Sequence, residues 1–440
     1  MTRGADPLFA CPRCDAPQGG AGPLVCPRCG ASHPVIDGVP CLMHDAAAAC
    51  GRFAARFADA ASECAAQLVA LDRELVGAPM ATTRARLAAF AEGVRTSAAT
   101  LATLGERIPK ARDPDVVVPS VAGHASLFDH YEYAFRDWGW GAEGDAQNGR
   151  ALARVIEAAG DLGRAPRVLV LGAGAGRLAY DLHVELGAQA TVALDIQPLL
   201  VLLARRMSLG DEVELAEFTT NYLAVPQAVV SRALRAPAPA PPGLVFAFAD
   251  ATRPPVPSGT FDLVVTSWFL DELHADVRDV LPAIGDALVD GGRWVFHGPL
   301  LHPRGKPLAR CVVADELVEL AMAAGLEPVA RRRDVMPYLR GPEGNGRSEP
   351  VLTLAARKRA ASARPCPPWL RAVTLPIPRS MASVPTRDPL AVAVATFVDG
   401  RRSALGIAEL LARHAGVAPR VALDTALSGL HELARASTPA

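Results

Sequence analysis

The chain has 440 residues, 50% of them hydrophobic and 21% charged, with a formal net charge of -1. That length supplies roughly two to four domains and a sizeable core. The balanced charge excludes a protein built to coat nucleic acid or an anionic membrane. Of its 45 cationic residues only Lys110, Lys306 and Lys358 are lysines, and aromatics make up 5%.

The first residues lack the basic-then-apolar plan of a secretory signal, and the apolar run 199–204 is too short to span a bilayer. A soluble cytoplasmic chain is expected, in which the nine cysteines serve as metal ligands or core thiols rather than disulfides. Residues 1–45 form the first unit. Cys11-Pro-Arg-Cys14 and Cys26-Pro-Arg-Cys29 are paired knuckles around a Gly-rich loop, Gly19 to Gly22. Each turn offers two thiolates to one point, and together they make a closed, structural tetrahedral site for Zn²⁺. Such a small unit draws much of its stability from the metal. Cys41, Cys50 and Cys64 read as buried thiols. The knuckles and the following HPVIDGVP segment, 33–40, resemble the small Trm112-type zinc-binding domains, whose members serve as partners or fused modules of methyltransferases.

Residues 46–119 are Ala-rich, with apolar residues at helical spacing and a break at Gly77-Ala-Pro79, which gives a helical hairpin without evident chemistry. In 120–360, buried strands are expected at 167–171, 190–195, 244–249, 261–267, 293–297 and 351–356, alternating with helices. That order gives an α/β doubly wound parallel sheet with ligands at the strand C-termini. Between Pro226 and Pro242 an inserted helix and a Pro/Ala run are expected. Residues 361–388 read as a Pro-rich linker, and 389–440 as a small helical or winged-helix-like domain.

Gly172, Gly174 and Gly176 let the backbone pass close to a ligand, and the helix behind them favours an anionic group. Asp195 ends the second strand, where an acid accepts hydrogen bonds from both ribose hydroxyls. Asp250 ends the third, facing an adenine amino group. The pattern favours S-adenosylmethionine over a dinucleotide, although either acid alone could be a helix cap or a solvated loop carboxylate. Asp271, after the fourth strand, either caps a helix over 272–281 or orients an acceptor nitrogen by accepting its other N–H. His302 is either a loop histidine or a group that bonds the substrate or takes its proton. His274 and His297 read as structural.

The segments HYEYAFRDW (130–138), GAGAGRLA (172–179), WFLD (268–271), DGG (290–292) and GPLLH (298–302) together resemble the carnosine N-methyltransferase family. The resemblance implies a Rossmann-like class I methyltransferase fold and N-methylation of an imidazole-type or other nitrogen on a small molecule or peptide. It also implies that Arg136 and Arg177 hold the methionyl carboxylate or nearby cofactor groups, Asp195 the ribose, and Asp250 with Ala251 the adenine. By the same resemblance, Asp271 and the histidine near His302 contact the substrate imidazole. The Tyr131–Trp140 cluster reads as a cofactor wall. Where family members carry tyrosines, this chain has Gly346 and Ser348, with Glu349 retained and Arg347 new, a change that suits a larger or charged substrate and leaves Tyr338 as the nearest aromatic substitute. The stretch FVDGRRS (397–403) with GIAELL (406–411) resembles PqqD-type winged-helix domains, whose members often bind a leader peptide, and this implies a peptide partner. An rRNA or tRNA methyltransferase, or a non-catalytic adaptor that senses cofactor, are the alternatives. The absence of a basic, aromatic-interleaved stripe disfavours the first, and the intact glycine loop and acids disfavour the second.

Overall fold

The computed structural model describes residues 7–18, 24–109, 126–273, 275–302, 306–344, 346–359 and 366–437. His274 and the Gly-rich loop between the knuckles, Gly19 to Gly22, lie outside the described residues. Two short strands, β1 (Val35–Ile36) and β2 (Val39–Leu42), lead into helices α1 (Ala46–Gly77) and α2 (Ala81–Gly105). Helix α3 (Ala142–Ala159) precedes β3 (Arg167–Leu171), α4 (Arg177–Glu185), β4 (Ala190–Asp195), α5 (Pro198–Leu209) and β5 (Leu244–Ala249). Then follow β6 (Phe261–Ser267), α6 (Val277–Ala287), β7 (Leu288–Gly298), α7 (Ala314–Ala323), β8 (Leu326–Tyr338) and β9 (Arg347–Lys358). The C-terminal part consists of α8 (Pro389–Ala395), α9 (Ala404–Ala415) and α10 (Pro419–Ala436).

The strand sequences explain the central sheet. Arg-Val-Leu-Val-Leu in β3 is buried along its whole length, as a strand covered by helices on both faces must be. The same holds for most of β4, β5 and β6. The sheet runs β8-β9-β7-β6-β3-β4-β5-β2-β1. From β3 to β7 the central pairs are parallel, with Val170 opposite Ala193 on one side and Val265 on the other. Strand β9 is antiparallel to both β7 and β8. A doubly wound order that reverses at β3, closed on one side by an antiparallel strand between its neighbours, is the Rossmann-like methyltransferase fold, and its reversal opens a crevice beyond the C-termini of β3, β4 and β6.

The N-terminal segment is built into this sheet. Strand β2 pairs parallel with β5, Cys41 opposite Phe248 and Leu42 opposite Ala249, so it covers an edge that would otherwise present unpaired backbone groups. Asp45 then caps α1 by accepting from Ala48 N at 2.9 Å. Phe53 of α1 lies 5.1 Å from the ring of Phe248. The two long helices form the expected hairpin, which breaks at Ala78. Its second helix packs on an antiparallel ribbon, Val213–Phe218 with Val229–Leu234. That ribbon corrects the sequence reading of 226–242: Val225–Ala228 is a single helical turn, and the chain then returns as a strand. Its polar face is held by Glu217, which pairs with Arg232 at 2.5 Å and accepts from Trp140 Nε1 at 3.1 Å.

The expected linker also differs. From Cys366 onward the Pro-rich stretch packs, with Trp369, Leu370, Val373, Ile377 and Met381 in one core with α8, α9 and α10. Proline fixes φ here in short helical turns against a hydrophobic surface instead of extending a spacer. Arg371 joins three parts of the molecule: it donates to Asp15 beside the first knuckle, to Asp286 at the end of α6, and to Ser258 Oγ at 2.7 Å. Thr374 N donates to Arg13 O within the knuckle at 3.2 Å. Arg371→Met leaves two largely buried carboxylates without their cation and should cost about 3 kcal/mol. Equilibrium urea denaturation reads this directly, and an unshifted midpoint would show that the joint contributes nothing. No helix among the described residues is long and apolar enough to cross a membrane.

Candidate functional site

A cavity of about 390 Å³ opens in the crevice at the strand C-termini. Its floor is the loop after β3. Gly172, Gly174 and Gly176 all have positive φ, but for different reasons. A Cβ on Gly172 would come within 2.4 Å of Phe269, and one on Gly176 within 2.6 Å of Ala204. At Gly174 a Cβ would meet nothing within 4 Å, so this glycine leaves open space over the floor. Gly172 and Gly174 line the cavity, whereas Gly176 lies behind it against α5 and β5.

Asp195 holds the loop in shape. Its Oδ2 accepts from Gly174 N at 2.8 Å, and its Oδ1 from Ile196 N at 2.7 Å and Gln197 N at 2.9 Å. Burial raises its pKa, and those backbone donors act in the opposite direction. Asp250 differs. Burial alone would raise its pKa, but Arg253 and Thr252 outweigh it and hold the carboxyl below the usual range. Thr252 N and Oγ1 donate to Oδ1 at 3.0 and 2.5 Å, and Arg253 to Oδ2 at 3.0 Å. Asp250, Ala251 and Thr252 all face the cavity.

Arg136 reaches the same wall from a π-helical turn, Phe135–Gly139. Such turns widen a helix and are frequent at functional sites. Its Nε donates to Asp137 Oδ1 at 2.8 Å, and its guanidinium lies 5.6 Å from the centroid of Tyr338. Arg177 is placed elsewhere: its guanidinium bonds Asp181, Asp145 and Asp137 O at 2.8–2.9 Å and covers Trp138. It fastens α4 to the π-turn and does not line the cavity. Of the Tyr131–Trp140 cluster only Tyr133 among the aromatics is a wall residue, while Tyr131, Trp138 and Trp140 are core.

The far end is aromatic and acidic. Trp268, with φ of 46°, stacks on Tyr338 at 5.2 Å, and its Nε1 donates to Glu349 Oε2 at 3.0 Å. Glu349 is also bound by Arg347 at 2.6 Å, whose guanidinium lies 4.9 Å from the Tyr338 centroid. Tyr338 lies opposite Arg347, next to Ser348, in the ladder between β8 and β9. Gly346 itself cannot carry a side chain, because a Cβ would lie 2.3 Å from Leu339 O at φ of 106°.

Asp271 is 4% exposed, and its Oδ1 meets no hydrogen-bond donor among the described residues. Burial, with the charges of Glu272 and Glu349, pushes its pKa up to about 7. It is not the helix cap: α6 begins at Val277, and Asp276 caps it by accepting from Arg278 N at 2.9 Å. Asp271 lies beside the cavity rather than in its wall, where its neighbours Phe269, Glu272 and Leu273 stand. His302 is exposed, bonded through Nε2 to Val312 O at 3.1 Å, and the structure does not bring it to the cavity. His297 is buried against the edge of Trp268, its Nδ1 2.9 Å from Thr353 Oγ1.

Several wall residues carry no sequence signal of their own, among them His130, Gln147, Asn148, Gln197 and Met336. Gln147 ties the β8–β9 turn to α3 by donating to Arg340 O at 2.9 Å and accepting from Arg340 N at 3.1 Å. Its polarity on the buried face of an amphipathic helix is the one trace a sequence could offer.

The four knuckle cysteines converge as well. Their Sγ atoms all lie within 4.8 Å of one another, with Cys14 and Cys26 at 3.4 Å and Cys11 and Cys29 at 3.7 Å. A tetrahedral shell with zinc–sulfur bonds of 2.3 Å has edges of about 3.8 Å, so the donor set fits a Zn²⁺ ion.

No family model matches the chain, and no curated protein matches it. Among solved structures, a putative sarcosine dimethylglycine methyltransferase from Galdieria sulphuraria is 14% identical over 53% of this chain and 97% of its own, with a TM-score of 0.36. A complex between the Haloferax volcanii Trm112 methyltransferase activator and a putative methyltransferase is 17% identical over 53% and 96%, with a TM-score of 0.35. Phosphoethanolamine N-methyltransferase 2 of Haemonchus contortus, in complex with S-adenosyl-L-methionine, is 16% identical over 53% and 57%, also at 0.35. The fold of this chain is a Rossmann-like methyltransferase fold by its own strand order and the position of its cavity.

Proposed function

We propose that the chain is an S-adenosylmethionine-dependent N-methyltransferase that acts on an imidazole-type or other nitrogen of a small molecule or peptide. One observation carries this reading: a single cavity joins an open glycine floor, two strand-terminal acids and an aromatic, acidic end. Gly172 and Gly174 leave room for the homocysteine portion of a bound cofactor, with Arg136 near its carboxylate. Asp195 accepts from the ribose, and Asp250 with Ala251 borders the adenine. When bound, the cofactor supplies an electrophilic methyl group. The protein's task is then alignment, because an in-line displacement gains most from holding nucleophile and methyl in register. Tyr133, Trp268 and Tyr338 would confine the acceptor. Asp271, immediately behind the wall residues Phe269 and Glu272 and with an Oδ1 unpartnered among the described residues, would orient the acceptor nitrogen by accepting its other N–H or proton, and a base near neutrality is matched to that task. His302 has no part in this arrangement. The Cys11, Cys14, Cys26 and Cys29 set would hold a structural Zn²⁺ in a Trm112-like module fused in cis, and the C-terminal helices would form a PqqD-like or simple helical partner domain. The setting would be cytoplasmic.

Asp271→Asn tests the assignment. Turnover should fall by roughly 10²-fold or more, while S-adenosylhomocysteine binds as before. In the unaltered protein the rate should rise with pH through about 7. The stability sign is opposite to that of a salt-bridged acid. The native state holds the Asp271 proton up to about pH 7, whereas the unfolded chain releases it near pH 4, so stability is lost as pH rises between them. The asparagine variant should therefore be at least as stable as wild type at pH 8. An unchanged rate with a methyl acceptor from host extract would refute the role.

A further inference from the structure

The helical pair α1–α2 carries no motif, yet one of its side chains reaches the cavity wall. Arg56 of α1 donates through Nη1 to Gln197 Oε1, and its Nη2 lies 3.3 Å from His130 Nε2. Both partners line the cavity, from segments far apart in the chain. A guanidinium can only donate, and this settles the polarity of both partners. The carbonyl end of Gln197 is taken by Arg56, so the amide keeps its N–H₂. His130 must accept at Nε2, so the neutral ring carries its proton on Nδ1. Among the described residues neither Gln197 Nε2 nor His130 Nδ1 meets a protein acceptor.

The groups facing His130 keep the ring neutral. Burial lowers its pKa to about 4, Arg56 adds to the effect, and Asp129 opposes it. The Tyr133 ring lies 6.1 Å away. Two residues before Gln197, Asp195 is a pure acceptor. The wall therefore presents an acceptor beside two fixed donors. A ligand that satisfies both must offer hydroxyls that donate to one side and accept from the other, as a vicinal diol does.

We propose that Arg56 is a positioning residue that fixes His130 and Gln197 as donors to the ribose oxygens of the nucleoside held by Asp195, and that the helical pair thereby sets cofactor affinity. The proposal rests on the cofactor reading above, and its first test is independent of any ligand. In ¹⁵N-histidine-labelled protein, with His130→Gln used for assignment, His130 should appear as the neutral Nδ1–H tautomer down to about pH 5. In Arg56→Met the resonance should show both tautomers and titrate closer to the ordinary value near 6.5. An Nε2–H tautomer in wild type, or an identical titration in the variant, would overturn the proposal.

The second test is calorimetry with S-adenosylhomocysteine. Arg56→Met should weaken binding by about ten-fold, equivalent to about 1.4 kcal/mol. Gln197→Glu guards against a merely unfolded variant, since it gives Arg56 an ionic partner while it replaces the donor by an acceptor. That variant should lose at least as much affinity, and unchanged binding would contradict the donor role. If wild type itself fails to bind S-adenosylhomocysteine, the cofactor reading falls, and the tautomer measurement still decides what Arg56 does.

Discussion

Removing the zinc proposed for the Cys11, Cys14, Cys26 and Cys29 site should lower the thermal midpoint of the whole chain by roughly 6–12 °C, not merely unfold its first residues. The expectation follows from what the knuckles touch. Ala10 N donates to Pro255 O at 2.8 Å, in the loop that follows Asp250. Immediately beyond the knuckles, β2 forms the edge partner of β5. On the other side Arg13 and Asp15 accept from Thr374 and Arg371 of the C-terminal part. A four-thiolate cluster with a core of only Cys11, Cys14, Ala16 and Cys26 cannot hold that shape by burial alone. Losing these anchors should cost about 3 kcal/mol, and each kcal/mol moves the midpoint by about 2–4 °C in domains of 150–250 residues. One equivalent of zinc released by a thiol-modifying mercurial, with the midpoint followed before and after chelation, checks both halves. Cys29→Ser, at the exposed corner of the set, should reproduce the shift without a chelator. Protein that holds less than a tenth of an equivalent of metal and keeps its midpoint would dismiss the zinc assignment.

The sheet was legible in the sequence wherever a strand is buried on both faces. Strands β3 to β6 read as continuous apolar runs because helices cover both sides, and their order with the helices between them already implies a doubly wound sheet. Strand β8 was not legible. It is the outer strand of the sheet, and Arg331, Arg332 and Arg333 sit exposed at its middle, so neither apolar run nor alternation marks it. Strand β2 escapes the sequence for another reason: at four residues it gains its identity from its partners, β5 on one side and β1 on the other.

The site divides in the same way. Gly172, Gly174, Asp195 and Asp250 could be named because backbone geometry at strand ends demands those residue types. Arg136 and Ala251 came only through the resemblance, and the structure sets both on the cavity wall. Arg177 sits beside the same loop, but three oxygen partners, on its own helix, on α3 and in the π-turn, turn it away from the cavity, and one-dimensional spacing cannot show such competition. His130, Gln197 and Tyr338 meet across three distant segments, and only the folded chain brings them together.

The largest effect on ligand binding is expected at Asp195. Asp195→Ala should weaken S-adenosylhomocysteine by roughly 100-fold or more, and two separate losses add to that figure. The carboxylate would accept from ligand hydroxyls, and a hydrogen bond to a charged group contributes about 1.5–3 kcal/mol. It also accepts from Gly174 N, Ile196 N and Gln197 N, so its removal loosens the glycine floor itself. Asp195→Asn is not a mild replacement, because its amide N–H₂ must face one of those backbone donors. Asp250→Asn provides the contrast. Asp250 accepts from Thr252 N and Oγ1 on Oδ1 and from the Arg253 side chain on Oδ2, so an asparagine that keeps its oxygen on Thr252 retains the turn and gives up the Arg253 side-chain bond together with the adenine contact, and binding weakens by about ten-fold. Affinity in the unaltered protein should also decline toward acid pH as Asp195, whose pKa burial raises, takes up a proton and loses acceptor strength. If Asp195→Ala binds within three-fold of wild type, Asp195 belongs to the loop alone and the nucleoside must be held elsewhere in the cavity.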